Sequence, residues 1–389
     1  MTQPPNGWGN QPLPPPPENG WQGQQPGQQP PMQSPPSWGP QYQQQFAPPP
    51  PPPKNNRALK WALGGTALIA VIAITAVVTM SLGGGDKEKG DGNGPTPTAG
   101  SGSTSEFASA NDTGPVTIIT EDPSCAPWVP ILNTLAAAQT SNNWGERDPS
   151  IPASVWSPDQ RTQFQQVGQA MRAAADQTEP LIKMTTHRVM RQLYEQFIAY
   201  ARAFAREIPT YTEPDNALAR TATQASNALA KICDAITYGS AAARAPLVQD
   251  RPTPATVAPI SDSADPKRFL TSADSVCPDW LAAEKQFESD TDDWRRKTNV
   301  NIPAGQWTPE QKAVAEAVTP VMRESADMLE KLGEGSGNPT FQDFAQLAAQ
   351  YRRAYSQAMP TYTATDRYIY DVSIYAVAVN GRACEAAGE

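Results

Sequence analysis

From residue 120 onward the chain alternates apolar and polar positions with a helical period, and it does so twice. Leu193, Phe197, Tyr200, Phe204 and Ile208 recur at spacings of four, three, four and four. Phe344, Ala348, Tyr351, Tyr355 and Met359 repeat that rhythm 151 residues later. Such spacing puts one apolar stripe on a helix and turns it to a core. Pro209 and Pro360 end these two helices. The stretches before them open with Ser157-Pro158-Asp159-Gln160 and Thr308-Pro309-Glu310-Gln311. Each is a hydroxyl N-cap, a proline at the first helical position where no backbone donor is needed, an acid in the first turn, and a Gln that returns the cap. The helix after the first cap is expected to stop at Thr178-Glu179 before Pro180, and its counterpart at Leu332-Gly333. Thr212 with Asp215, and Thr363 with Asp366, cap the last helix of each copy. First helices begin near Cys125 and Cys277.

The pattern predicts an all-α fold of two tandem duplicated four-helix units, residues 120–246 and 267–389, joined by a linker over 247–266. In an up-down-up-down bundle the start of helix one and the end of helix four share an end. Of the three pairings open to four cysteines, this favours Cys125 with Cys233 and Cys277 with Cys384, a disulfide inside each unit. The link after each first helix holds two tryptophans, Trp144 and Trp156 in one copy, Trp294 and Trp307 in the other. They read as clamps pinning the link to the bundle edge, or alternatively as a platform for a glycan or an aromatic ligand. Pro209-Thr-Tyr211-Thr and Pro360-Thr-Tyr362-Thr mark a demanding turn or a shared binding edge. Trp144, Trp156, Tyr211, Trp294, Trp307 and Tyr362 are therefore the candidate interaction residues.

A different pattern precedes the repeats. Trp61–Leu82 is 22 residues without charge or proline, long enough to cross about 30 Å of hydrocarbon. Sixty residues lie before it, which argues for a retained transmembrane helix over a cleaved signal. Residues 1–53 contain 19 prolines and one charged residue, Glu18; a segment so poor in burial surface is expected to be a disordered proline-rich arm. Residues 83–119 read as a flexible linker. Lys54, Arg57 and Lys60 place the arm in the cytoplasm. All four cysteines lie beyond the span, consistent with an oxidising compartment outside.

Charge and chemistry narrow the function classes. The net charge is −9, with −10 on residues 92–389, so no basic face for nucleic acid is expected. Arg295-Arg296-Lys297 is balanced by Asp290, Asp292 and Asp293. His187 is the single histidine and has no triad pattern around it. Metal-ligand and phosphate-loop motifs are absent, so no catalytic residue, cofactor or metal is assigned. Asp176 and Asp327 are repeated acids without a capping job, which makes them candidates for a functional role; they read otherwise as solvent-facing helix residues or as partners in a helix–helix salt bridge, for example to Arg172 and Arg323 four residues earlier.

The order of proline-rich arm, single span and exported domain resembles the uncharacterised proline-rich, single-pass membrane proteins of mycobacteria and their actinobacterial relatives. The resemblance lies in residues 1–115 and implies a cell-envelope location. The expected function is a membrane-anchored envelope interaction or scaffold protein. An extracellular ligand-binding or sensory module, taking a lipid or glycan, is the alternative, and an envelope enzyme is a weaker one. Expected partners are envelope or membrane proteins, with a separate cytoplasmic partner for the arm.

Overall fold

In the computed structural model the described residues are 106–388, and among them the regular structure is entirely helical. The arm at 1–53, the apolar span at 61–82 and the linker as far as residue 105 lie outside them. Among the described residues no helix is long and apolar enough to cross a membrane.

The first copy contains α1 (Cys125–Ser141), α2 (Pro158–Met184), α3 (Arg188–Glu207) and α4 (Asn216–Thr237), then a short α5 (Ser240–Arg244). The second contains α6 (Cys277–Asp290), a short α7 (Asp292–Lys297), α8 (Pro309–Gly335), α9 (Pro339–Ala358) and α10 (Arg367–Ala386). Both reciprocal capping boxes form. The Ser157 and Thr308 hydroxyls accept from the amides of Gln160 and Gln311, each at 3.2 Å. Asp215 and Asp366 receive the amides of Thr212 and Thr363 at 2.7 Å. Disulfides join Cys125 to Cys233 and Cys277 to Cys384.

Three expectations are corrected. First, α2 does not stop before Pro180; it runs on to Met184. Leu181 and Ile182 are buried beyond the proline, and that burial offsets the lost backbone bond.

Second, α3 and α9 are not one-sided. Arg188, Arg191, Gln192, Glu195 and Gln196 form a polar stripe on α3, and all five are buried. On α9, Asp343, Gln346 and Gln350 do the same. The reason is that the two copies pack together within one compact unit, so the side away from each bundle core is covered as well.

Third, residues 106–119 are not a free linker. Val116, Ile118 and Ile119 are buried, and the segment crosses the seam between the copies.

The copies are related by an approximate two-fold axis, visible in contacts that recur with the roles of the copies exchanged. The Tyr200 hydroxyl donates to the Leu270 carbonyl at 3.3 Å, and the Tyr351 hydroxyl accepts from the Ile119 amide at 3.1 Å. Tyr200 and Tyr351 are equivalent positions, and Ile119 and Leu270 lie in matching leading segments, six and seven residues before Cys125 and Cys277. Each copy's leading segment is thus held by the third long helix of the other. The main contact between copies is α4 against α10, running antiparallel, with Arg220 near the start of α4 bonded to Glu385 near the end of α10 at 2.8 Å.

Candidate functional site

The six candidate aromatic residues come together in two matching corners, and all are buried. The indole N–H of Trp156 donates to the Ile151 carbonyl at 2.8 Å, and that of Trp307 to the Ile302 carbonyl at 2.8 Å. The Tyr211 hydroxyl donates to the Pro149 carbonyl, and that of Tyr362 to the Val300 carbonyl, both at 2.7 Å. Trp156 stacks on Tyr211 at 5.4 Å, and Trp307 on Tyr362 at 5.5 Å. Trp144 packs edge-on against Phe164 and Phe204, and Trp294 against Tyr355 and Tyr370. These rings pin the link after the first helix to the turn before the fourth. Their faces are spent on one another, so the platform alternative has no exposed ring to offer.

Asp176 and Asp327 do form salt bridges, but with different partners from those expected. Asp176 pairs with Arg202 at 2.6 Å and Asp327 with Arg353 at 2.7 Å, each across to the next helix. Glu179 and Glu330 complete the two triads on the same arginines. The geometry explains the switch: Arg172 turns to the Ala205 carbonyl at the end of α3. The 151-residue spacing of Glu179 with Glu330, and of Arg202 with Arg353, is the signal that finds them. A second repeated pair, Asp122 and Asp274, anchors each leading segment. Asp122 accepts from Thr185, and Asp274 from Ser336 at 2.8 Å. His187 precedes α3 and its Nε2 lies 2.9 Å from the Glu121 carbonyl, a local tie. On α7, Arg296 and Lys297 pair with Asp292 and Asp293.

The polar centre of the molecule is the seam where α3 crosses α9. Arg188 donates through Nε and Nη2 to the Asp343 carboxylate at 2.8 and 3.0 Å, a two-pronged bond with both side chains 2% exposed. Gln192 donates to the same carboxylate at 2.7 Å. Gln192 and Asp343 are equivalent positions, so here the axis brings a residue onto its own counterpart. Arg188 also holds the carbonyls of Asp112 and Gly114 at 2.7 and 3.1 Å, and Arg191 reaches Ser109 at 3.1 Å.

The α4–α10 contact ends in two charge clusters at equivalent positions, alike except that one arginine is replaced by an acid. At one end Arg220 pairs with Glu385, and Arg382 with Glu284 and Glu385 at 2.8 and 3.1 Å. Burial raises the Glu284 carboxyl above its ordinary value, while Arg382 opposes the rise. At the other end Arg220 is replaced by Asp371, Arg382 by Lys231 and Glu385 by Asp234. Lys231 pairs with Asp234 at 3.0 Å. Burial pushes the Asp371 carboxyl up to about 6; Lys231 and Arg367 pull against this, and Asp234 adds to it.

Among the described residues no group of three or more His, Cys, Asp or Glu side chains is placed to hold a metal ion. A family model described as "Mycobacterial ESX-1 associated protein" matches residues 107–388, which is nearly all of the described structure. An uncharacterized protein of Mycolicibacterium smegmatis (strain MKD8) is 48% identical over 331 residues, covering 85% of this chain and 87% of the relative. No solved structure matches.

Proposed function

Because this chain belongs to the mycobacterial ESX-1 associated protein family, we propose that it is a cell-envelope interaction protein that works with components of the ESX-1 secretion system. In this reading residues 61–82 anchor the chain in the membrane. The proline-rich arm lies on the cytoplasmic side and meets a partner there, and the duplicated helical head stands outside and binds envelope proteins.

The observation that carries the reading is the extent of the family match, which takes in both copies and the leading segment together. Three further points support it. The head is internally tied by two disulfides and a buried polar seam, which suits a rigid binding body. Its aromatic corners serve its own packing. Its exposed large apolar side chains, among them Val155, Tyr238 and Met328, sit on separate elements, leaving the outer faces to polar recognition.

Crosslinking mass spectrometry in native mycobacterial membranes tests the proposal. Crosslinks from the head to secretion-system proteins are expected, and they should vanish from a strain lacking those components. A full-length chain that returns no reproducible partner through arm or head overturns it. Crosslinks only to lipid or glycan carriers would favour the ligand-binding reading instead.

A further inference from the structure

The second copy contains a buried cation that the first copy lacks. Arg352, on α9, is 1% exposed. Its Nε donates to Ser373 at 3.0 Å and its Nη1 to Ser325 at 2.5 Å, and its guanidinium lies 3.8 Å from the Phe287 ring centre. Among the described residues no carboxylate comes within salt-bridge distance of it. Glu284, the acid whose field reaches it, is already bonded to Arg382.

The equivalent positions in the first copy show that this is an added feature of one half. Arg352, Ser325, Ser373 and Tyr370 stand where the first copy has Ala201, Ala174, Ala222 and Ala219. All four alanines are buried. One bundle therefore closes on alanine alone, while its twin places four polar side chains in the same part of the core.

Burying an ion without a counter-ion costs several kcal/mol in effect, so a retained buried arginine asks for an anion. The neighbouring polar groups ask for the same thing. The Tyr370 hydroxyl and the Trp294 indole N–H are buried and find no acceptor among the described residues. Their rings are 5.3 Å apart, and Tyr370 stands three residues before Ser373, the partner of Arg352 on α10. Arginine has five N–H donors and no acceptor, and indole donates only. Every unmet group here can donate, and the local charge is positive. A cation does not fit that set, and a neutral water would leave the charge standing.

We propose that the core of the second copy, between α6, α8, α9 and α10, binds one small monovalent anion of chloride size on Arg352, with Tyr370 and Trp294 as further donors. The ion is enclosed on folding and acts as a structural part of this half alone.

Thermal unfolding of the full-length chain in mild detergent tests this, in sodium chloride, sodium bromide and sodium gluconate at matched ionic strength. Chloride and bromide are expected to raise Tm by about 3 °C per tenfold concentration above the dissociation constant; gluconate, too large to enter, should leave it flat. Arg352→Met is expected to abolish the halide response. Crystals grown in bromide should show anomalous density beside Arg352. Equal slopes in all three salts, a response that survives Arg352→Met, or bromide density only elsewhere would each overturn the proposal. If Arg352→Met does not fold, Tyr370→Phe takes its place: a weakened halide response supports the site, and an unchanged one overturns it.

Discussion

Asp371 shows how much a single residue's setting depends on the fold. In the sequence it is one acid among many on the last helix. In the structure it occupies the address that Arg220 holds in the other copy, and it faces Asp234 as well as Lys231. Its carboxyl is raised from 3.8 to about 6, so in that interval the folded chain holds a proton that the unfolded chain has released. By linkage, stability from this group rises as pH falls from about 6 towards 4, and the ionised carboxylate is a penalty above that window. Asp371→Asn should therefore stabilise the protein at pH 7 by about 1–2 kcal/mol, a figure reduced because the side chain is not fully buried. The gain should disappear near pH 4. Urea unfolding at the two pH values checks it; a gain that is constant with pH would contradict the assignment.

At the scale of elements, the helices, caps and disulfides were legible because each depends on local chemistry written twice at one spacing. Ser157 with Gln160 and Thr308 with Gln311 needed only their own turn to be understood. The polar stripe of α3 was not legible. Arg188, Arg191, Gln192, Glu195 and Gln196 recur with a helical period, and such a row reads as a solvated face until a second copy and a leading segment cover it. Arg352 was hidden for a different reason: it lies one residue off the core-facing Tyr351, and nothing local in Arg352-Arg353 says that the first of the two is buried in its own bundle. Contacts across the axis carry no short-range signal. The stripe also carries a stability prediction. Asp343→Ala takes the two-pronged carboxylate from buried Arg188 and leaves it only the longer contact to Asp112 at 3.6 Å, which should cost about 3–5 kcal/mol. Arg188→Met with Asp343→Leu should recover most of the loss, since the fully buried pair is then gone and the remaining Asp112 carboxylate is partly exposed. Chemical denaturation of the single and double variants measures the difference.

For the whole molecule, the interlocked leading segments and the α4–α10 contact make the two copies one cooperative body. Each disulfide closes a long loop, with sequence separations of 108 and 107. Replacing Cys277 and Cys384 by serine should cost about 2–5 kcal/mol. The loss should lower a single unfolding transition for both halves. Circular dichroism and tryptophan fluorescence followed through the same melt would show whether the midpoints coincide; two separated transitions would mean that the copies unfold independently.

The pseudo-two-fold pairing has one more consequence. In a dimer of identical chains every substitution is made twice, so a surface can change only in matched pairs and an axis residue must tolerate its own image. Here both halves are encoded in one chain, and each address can be edited alone. Gln192 opposite Asp343, Arg220 against Asp371, and Ala201 against Arg352 are such single edits. The molecule keeps the packing of a symmetric dimer while its two halves carry different chemistry at matched positions, most of them inside the core.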